Sequence, residues 1–247
     1  MSIESEQDLR GLARIGKIVG LTLREMKMRL RPGLTTGELD EVGARILAKH
    51  GARPAPQRLY GFPGATCISV NDEAVHGIPG GRILRAGDLV KIDVTAELDG
   101  YIADAALTVA LPPVSATKRK LRDCAKSALR EAIAVARAGC PIYEIGKAVE
   151  TEVRRHGFAV IPELSGHGVG RAIHEEPPVP NFADRRVSQR LTEGLVITIE
   201  PIIAAGSGRV VIGTDGWTVR TGDGSLAAHY EHTVVITRDR PIVLTVC

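Results

Sequence analysis

Four carboxylates occupy places where a charged group is costly. Asp93 sits inside the apolar run LVKIDVTAEL and Asp104 inside YIADAALTV, while Glu200 ends LVITIE and Glu231 heads EHTVVIT. Each alone reads as a solvated strand residue, because carboxylates are mostly exposed. Together they resist that reading. The surrounding runs offer only Lys91 as a cation, and unpaired buried charges carry a large desolvation cost. Two divalent cations would neutralise the set, and carboxylates shared between two cations are what two-metal hydrolysis uses. Three histidines accompany them: His167 in SGHGVG, His174 in IHEEP and His76 in NDEAVHGIP. Glycines beside His167 let the backbone approach a site closely, and imidazole serves as a metal ligand or an acid–base group. Neither a HExxH motif nor a zinc-finger spacing is present.

The elements that must position these groups follow from periodicity. Leu9, Leu12, Val19, Leu23, Met26 and Leu30 mark one face of a helix over residues 6–30, which Pro32-Gly33 ends. Thr35 and Glu38 form a capping box for a second helix that buries Leu39, Val42, Ile46 and Leu47 and stops at Gly51. Val- and Ile-rich runs at 66–71 and 88–96 predict strands. Asp99-Gly100 is a two-residue hairpin signal, with the return strand over 101–111. That turn sets Asp104 opposite Thr95 and makes Asp93 its diagonal neighbour on the same face. A second cycle follows, with helices over 115–138 and 142–156 and strands near 160, 195–200, 209–212 and 230–237.

The two cycles are related. Gly33, Glu38, His50 and Gly51 recur as Gly139, Glu144, His156 and Gly157, each 106 residues on. An ungapped match across both helix boundaries predicts an internal duplication. The expected molecule is one catalytic domain of 247 residues with halves about 1–113 and 114–247. Strands following runs of helices argue an α+β fold.

Composition narrows the function. A net charge of +3 is too small to imply nucleic-acid binding, and 3% aromatic residues leave no stacking platform for single strands. The N-terminal segment lacks a basic and apolar leader pattern, and no apolar run is long enough to cross a bilayer. Cys67, Cys124, Cys140 and Cys247 form no CxxC pair. Reduced thiols and a cytoplasmic location are expected.

With NDEAVHGIP, KIDVTAELDGYIADAALTV, SGHGVGRAIHEEP, ITIEPII and DGWTV…HYEHTVVIT in this order, the chain resembles the type I methionine aminopeptidases over about residues 8–245. The resemblance implies the pseudo-twofold pita-bread fold, with antiparallel sheets flanked by helices. It implies Asp93, Asp104, His167, Glu200 and Glu231 as ligands to two divalent ions, which sequence leaves open among Mn, Fe, Co and Zn. Asp104 and Glu231 would bridge the ions, Asp93 would hold one with both oxygens, and His167 and Glu200 would complete the other. Glu200 would act as general base, His174 would bind substrate and steady the oxyanion, and His76 would contact the scissile amide or the leaving amine. Phe62, Cys67 and Trp217, with Leu59, would wall the methionine pocket. Two positions depart from the family pattern. Ala105-Ala106 stand where a small hydroxyl residue is usual, and Ile173 stands where an aromatic is common.

The implied activity is removal of initiator methionine from nascent polypeptides, with preference for a small second residue, by a monomer. Xaa-Pro aminopeptidases and prolidases share the fold but usually carry an additional N-terminal domain. A metal-free binding module would have lost ligands. The run Lys118-Arg119-Lys120-Leu121-Arg122 reads first as a solvated basic face and second as a transient ribosome contact.

Overall fold

A computed structural model describes residues 1–246; Cys247 lies outside the described residues. The first half runs α1 (Glu6–Arg29), α2 (Thr36–Lys49), β1 (Arg53–Pro54), α3 (Ala55–Tyr60), β2 (Cys67–Val70), β3 (Glu73–Val75), β4 (Leu89–Leu98) and β5 (Tyr101–Ala110). The second runs α4 (Ala116–Val135), α5 (Tyr143–Arg155), β6 (Ala159–Val160), β7 (Ser165–Gly168), β8 (Glu175–Pro180), β9 (Val196–Ile199), β10 (Ile202–Ala204), β11 (Val210–Ile212), β12 (Val219–Thr221), β13 (Ala227–His229), β14 (Glu231–Val235) and β15 (Ile242–Val243).

The first two helices both start on side-chain caps, the second at the capping box that the sequence marks. Ser5 accepts from Asp8 N on α1, and Thr35 and Glu38 exchange both bonds of the capping box on α2. Gly51 follows α2 with φ +73°, the left-handed turn that glycine adopts without a side-chain penalty.

A nine-stranded antiparallel sheet has the order β1-β4-β5-β14-β9-β7-β8, with β2 beside β4 and β15 beside β14. Strand alternation sorts its side chains. Val90, Ile92, Val94 and Ala96 enter a core with Leu12, Val19, Leu23 and Met26 of α1 and Leu39 and Leu47 of α2. A second core packs Ile197, Ile199 and Val234 against Leu121, Ala125 and Leu129 of α4 and Val149 and Val153 of α5. The opposite face of the sheet, free of these helices, carries Asp93, Thr95 and Asp104. This is the α+β pita-bread architecture.

The duplication is visible in matching details. Gly33 (φ +89°) and Gly139 (φ +84°) take the same conformation, as do Gly51 (φ +73°) and Gly157 (φ +75°). Gly33 N bonds Leu84 O and Leu84 N bonds Leu34 O; Gly139 N bonds Leu191 O and Leu191 N bonds Cys140 O. At the pseudo-twofold seam β5 and β14 share two ladder pairs, Ala106↔Glu231 and Ala105↔His232, against ten between β4 and β5. Two further sheets have three strands each, in the orders β13-β10-β6 and β11-β12-β3. Among the described residues no helix is long and apolar enough to cross a membrane, and Cys67, Cys124 and Cys140 are free thiols.

Candidate metal centre and substrate cleft

The β4–β5 ladder places Asp104 opposite Thr95 and Asp93 opposite Ala106, the register that the Asp99-Gly100 turn predicts. Across the seam Glu231 pairs the other side of Ala106. A methyl side chain therefore lies between two carboxylates and leaves the space above it open. On β14 and β9, His232 pairs Ile199, which brings Glu200 abreast of Glu231. The four carboxylates that lie far apart in sequence thus form one patch on one face.

Three of the four acids are buried: Asp104, Glu200 and Glu231 are 6%, 9% and 2% exposed, and Asp93 is half-buried. Buried oxygens of Asp93, Asp104 and Glu231 have no hydrogen-bond partner. Burial, and then the negative charge of Asp104, pushes the Asp93 and Glu200 carboxyls well above the ordinary range. Glu231 is raised by burial and by Asp104, Glu200 and Asp93. Asp104 is raised by burial, against hydrogen bonds from Thr95 and Asp93. Such a cluster is at odds with itself unless cations enter it.

His167 is prepared to serve it. Its Nδ1 lies 2.9 Å from Gly168 O. A carbonyl only accepts, so the proton sits on Nδ1 and the Nε2 lone pair is left free. That Nε2 is 3.4 Å from Glu200 Oε1, close to the edge of about 3.4 Å between donors that each hold one cation at ~2.1 Å in a tetrahedron. Donor atoms of Asp104, His167 and Glu231, and separately of Glu200, His229 and Glu231, lie within 4.8 Å of one another. The orphaned oxygens and this spacing fit a metal centre.

Threonines brace the patch. Thr198 Oγ1 donates to Glu200 Oε1 at 2.9 Å, and Thr233 Oγ1 bonds both O and N of Asp104 at 2.7 and 2.9 Å. Hydroxyl support thus comes from neighbouring strands, where Ala105 and Ala106 supply none. Ala105 itself faces the helix-side core.

A cleft of about 390 Å³ opens over the patch. His76, His174, Phe62, Cys67 and Trp217 all line it. Phe62 and Trp217 meet edge to face at 5.3 Å, an apolar corner beside the carboxylates. Cys67 is buried among the acids, and burial with Asp93 and Asp104 raises its thiol pKa, so it acts as an apolar wall. Leu59 departs from expectation: it is 47% exposed and lies outside the cleft lining. α3 is only six residues long, and its last residue, Tyr60, lines the mouth of the cleft instead while staying 49% exposed. Tyr60 Oη lies 3.0 Å from His174 Nδ1 and its ring stacks on the imidazole at 5.9 Å. Ile173, 3% exposed, also lines the cleft.

His174 rides on a loop tied at its base. Arg171 N and Ala172 N donate to Glu175 Oε1 at 2.7 and 2.8 Å, and the Met1 amine binds Glu175 Oε2. His76 takes φ +56°, an uncommon conformation for a side-chain-bearing residue. Burial lowers the pKa of His76, His167 and His174, and neighbouring imidazoles lower it further for His76 and His174. All three are neutral near pH 7.

Sequence reasoning missed His229 and Tyr60. His229 is 2% exposed, lines the cleft, and both ring nitrogens lack a partner. The only sequence signal was its place two residues before Glu231 in HYEH.

Comparison with known proteins agrees with this geometry. Residues 10–238 match the model of metallopeptidase family M24. The chain is 44% identical to methionine aminopeptidase 2 of Bacillus subtilis, covering 99% of both chains. It is 40% identical to the methionine aminopeptidase of Clostridium perfringens, covering 98% of both. A crystal structure of methionine aminopeptidase from Thermotoga maritima superposes with a TM-score of 0.97 at 34% identity over 100% of each chain. With its buried carboxylate patch, histidine-lined cleft and full-length likeness, the chain belongs to metallopeptidase family M24, among the methionine aminopeptidases.

Proposed function

We propose that the carboxylate patch is the dinuclear centre with which this methionine aminopeptidase removes N-terminal methionine. The observation that carries the reading is the convergence of Asp93, Asp104, Glu200 and Glu231, with orphaned oxygens on three of them, around the free Nε2 of His167. In this reading Asp93, Asp104, His167, Glu200 and Glu231 would hold the two ions. Bound divalent cations neutralise the acids, polarise the scissile carbonyl and lower the pKa of water. Mn, Fe, Co and Zn all suit four carboxylates and an imidazole.

The chain's own groups do the rest. Glu200, steadied by Thr198, takes the proton of the attacking water and returns it to the leaving amine. His174, its Nδ1 engaged by Tyr60, presents Nε2 to the substrate carbonyl and stabilises the charge that develops there. His76 contacts the scissile amide. Phe62, Trp217 and Cys67 hold the methionine side chain.

The same reading makes the chain a type I enzyme acting in the cytoplasm on nascent polypeptides with a small second residue. The basic run at the start of α4 is partly spoken for. Leu121 is buried, Lys118 Nζ reaches Gly87 O, and Arg122 pairs Asp123 at 2.7 Å. Lys120 Nζ lies 5.5 Å over the Phe158 ring, which leaves Arg119 as the side chain of the run free to meet the ribosome.

The test offers Met-Ala-Ser and Gly-Pro peptides to the Mn²⁺- or Co²⁺-loaded protein. Methionine release is expected; cleavage beside proline without methionine release would sink the reading. Glu200→Gln is expected to lower kcat by about 10²- to 10⁴-fold, and a near-normal rate would remove Glu200 from the base role.

A further inference from the structure

The pseudo-twofold axis pairs residues of the two halves, and the sheet register identifies the mates. β4 and β9 correspond: Val90 receives Val70 of β2 as Ile197 receives Gly168 of β7. Ile92 then corresponds to Ile199 and Asp93 to Glu200. Ile92 pairs Leu107, and Ile199 pairs His232, so Leu107 corresponds to His232. Counting along β5 and back from β14, Ala106 is the mate of Glu231, Thr108 the mate of Thr233, and Asp104 the mate of His229.

The hydrogen bonds repeat the match atom for atom. Thr233 Oγ1 donates to Asp104 O at 2.7 Å and accepts from Asp104 N at 2.9 Å. Thr108 Oγ1 donates to His229 O at 2.7 Å and accepts from His229 N at 2.9 Å. His229 thus holds, in the second half, the backbone position from which Asp104 reaches the patch in the first.

Its side chain reaches the same patch. His229 Nε2 lies 3.6 Å from Glu231 Oε2 and 3.8 Å from Glu200 Oε2. These separations are too long for hydrogen bonds and near the spacing of two donors on one cation. The ring is buried with neither nitrogen satisfied, an arrangement that needs a partner in place. We propose that His229 is a sixth protein ligand, binding through Nε2 the ion that Glu200 and Glu231 hold. The inference rests on the reading of the patch as a metal centre. A second imidazole adds a nitrogen donor without adding charge, and moves the preference of that ion's site from Mn²⁺ toward Co²⁺, Fe²⁺ and Zn²⁺.

Pulsed electron paramagnetic resonance of the Mn²⁺-loaded full chain tests this. Directly bound nitrogen from two imidazoles is expected in the unaltered protein. His167→Ala should keep one of them, and His229→Gln should keep the other. His229→Gln should also weaken Mn²⁺ binding, read by calorimetry, about 10- to 100-fold or more, since losing even an outer-shell partner has that effect. Loss of all bound nitrogen in His167→Ala, or an unchanged spectrum and affinity in His229→Gln, overturns the proposal while leaving the centre intact. Absence of Mn²⁺ binding by the unaltered protein instead overturns the metal reading beneath it. Selective ¹⁵N-histidine labelling of the unaltered protein counts the bound imidazoles directly, so a variant that fails to fold leaves the question decidable.

Discussion

Lys91 carries its ammonium on the site face of β4, 1% exposed, with Nζ donating to Asn71 O at 2.8 Å. Burial lowers its pKa to about 7, against the pull of Glu73 and Asp72. In the unfolded chain it titrates near 10.4. Between those values the unfolded state holds the proton and the folded state does not, so stability rises with pH from about 7 to 10. The contribution is up to about 1.4 kcal/mol per pH unit for one proton. Lys91→Met is expected to flatten that slope in urea unfolding series; an unaltered slope would assign it elsewhere. The acids of the site were legible because a carboxylate inside an apolar strand contradicts its own surroundings. His229 was not, because a histidine beside a strand contradicts nothing until register brings it to Glu200 and Glu231.

At the scale of elements, α5 crosses the 180–182 backbone where Gly146 has no side chain. A Cβ there would stand 2.1 Å from Phe182 O and 2.5 Å from Pro180 O, both backbone atoms that cannot swing aside. Gly146→Ala is therefore expected to destabilise the fold by about 1–3 kcal/mol. A thermal midpoint equal to that of the unaltered protein would show that α5 can move outward freely. The long helices and the β4–β5 hairpin were readable because caps, periodicity and Asp99-Gly100 all point one way. α4 ends at Val135 rather than 138, because Ala136 leaves helical geometry at ψ 87° and Ala138 N turns to Thr237 O. β7, the strand that carries His167, is four residues with two glycines, and β8 holds three prolines. Such segments have no period to read, and only long-range pairing makes them strands.

For the molecule as a whole, the raised carboxyls of the patch set the link between metal, pH and stability. A folded-state pKa above the unfolded value means that the native state holds extra protons above about pH 4, so the metal-free protein loses stability as pH rises through that window. Bound cations displace those protons and remove the repulsion. The thermal midpoint of Mn²⁺-loaded protein is therefore expected to exceed that of chelator-treated protein by a margin that grows from pH 5 to pH 8. A margin that shrinks with pH would contradict the carboxylate assignment.

The seam between β5 and β14 has one more consequence. A cleft built about a true twofold would offer the same groups to either end of a peptide, and could not tell an amine from the carbonyl that follows it. The mated positions here are unequal: Asp93 with Glu200, Asp104 with His229, Ala106 with Glu231. The direction in which a substrate lies is thus written in the few side chains that break the likeness of two halves, while the backbone that carries them stays almost indifferent to it.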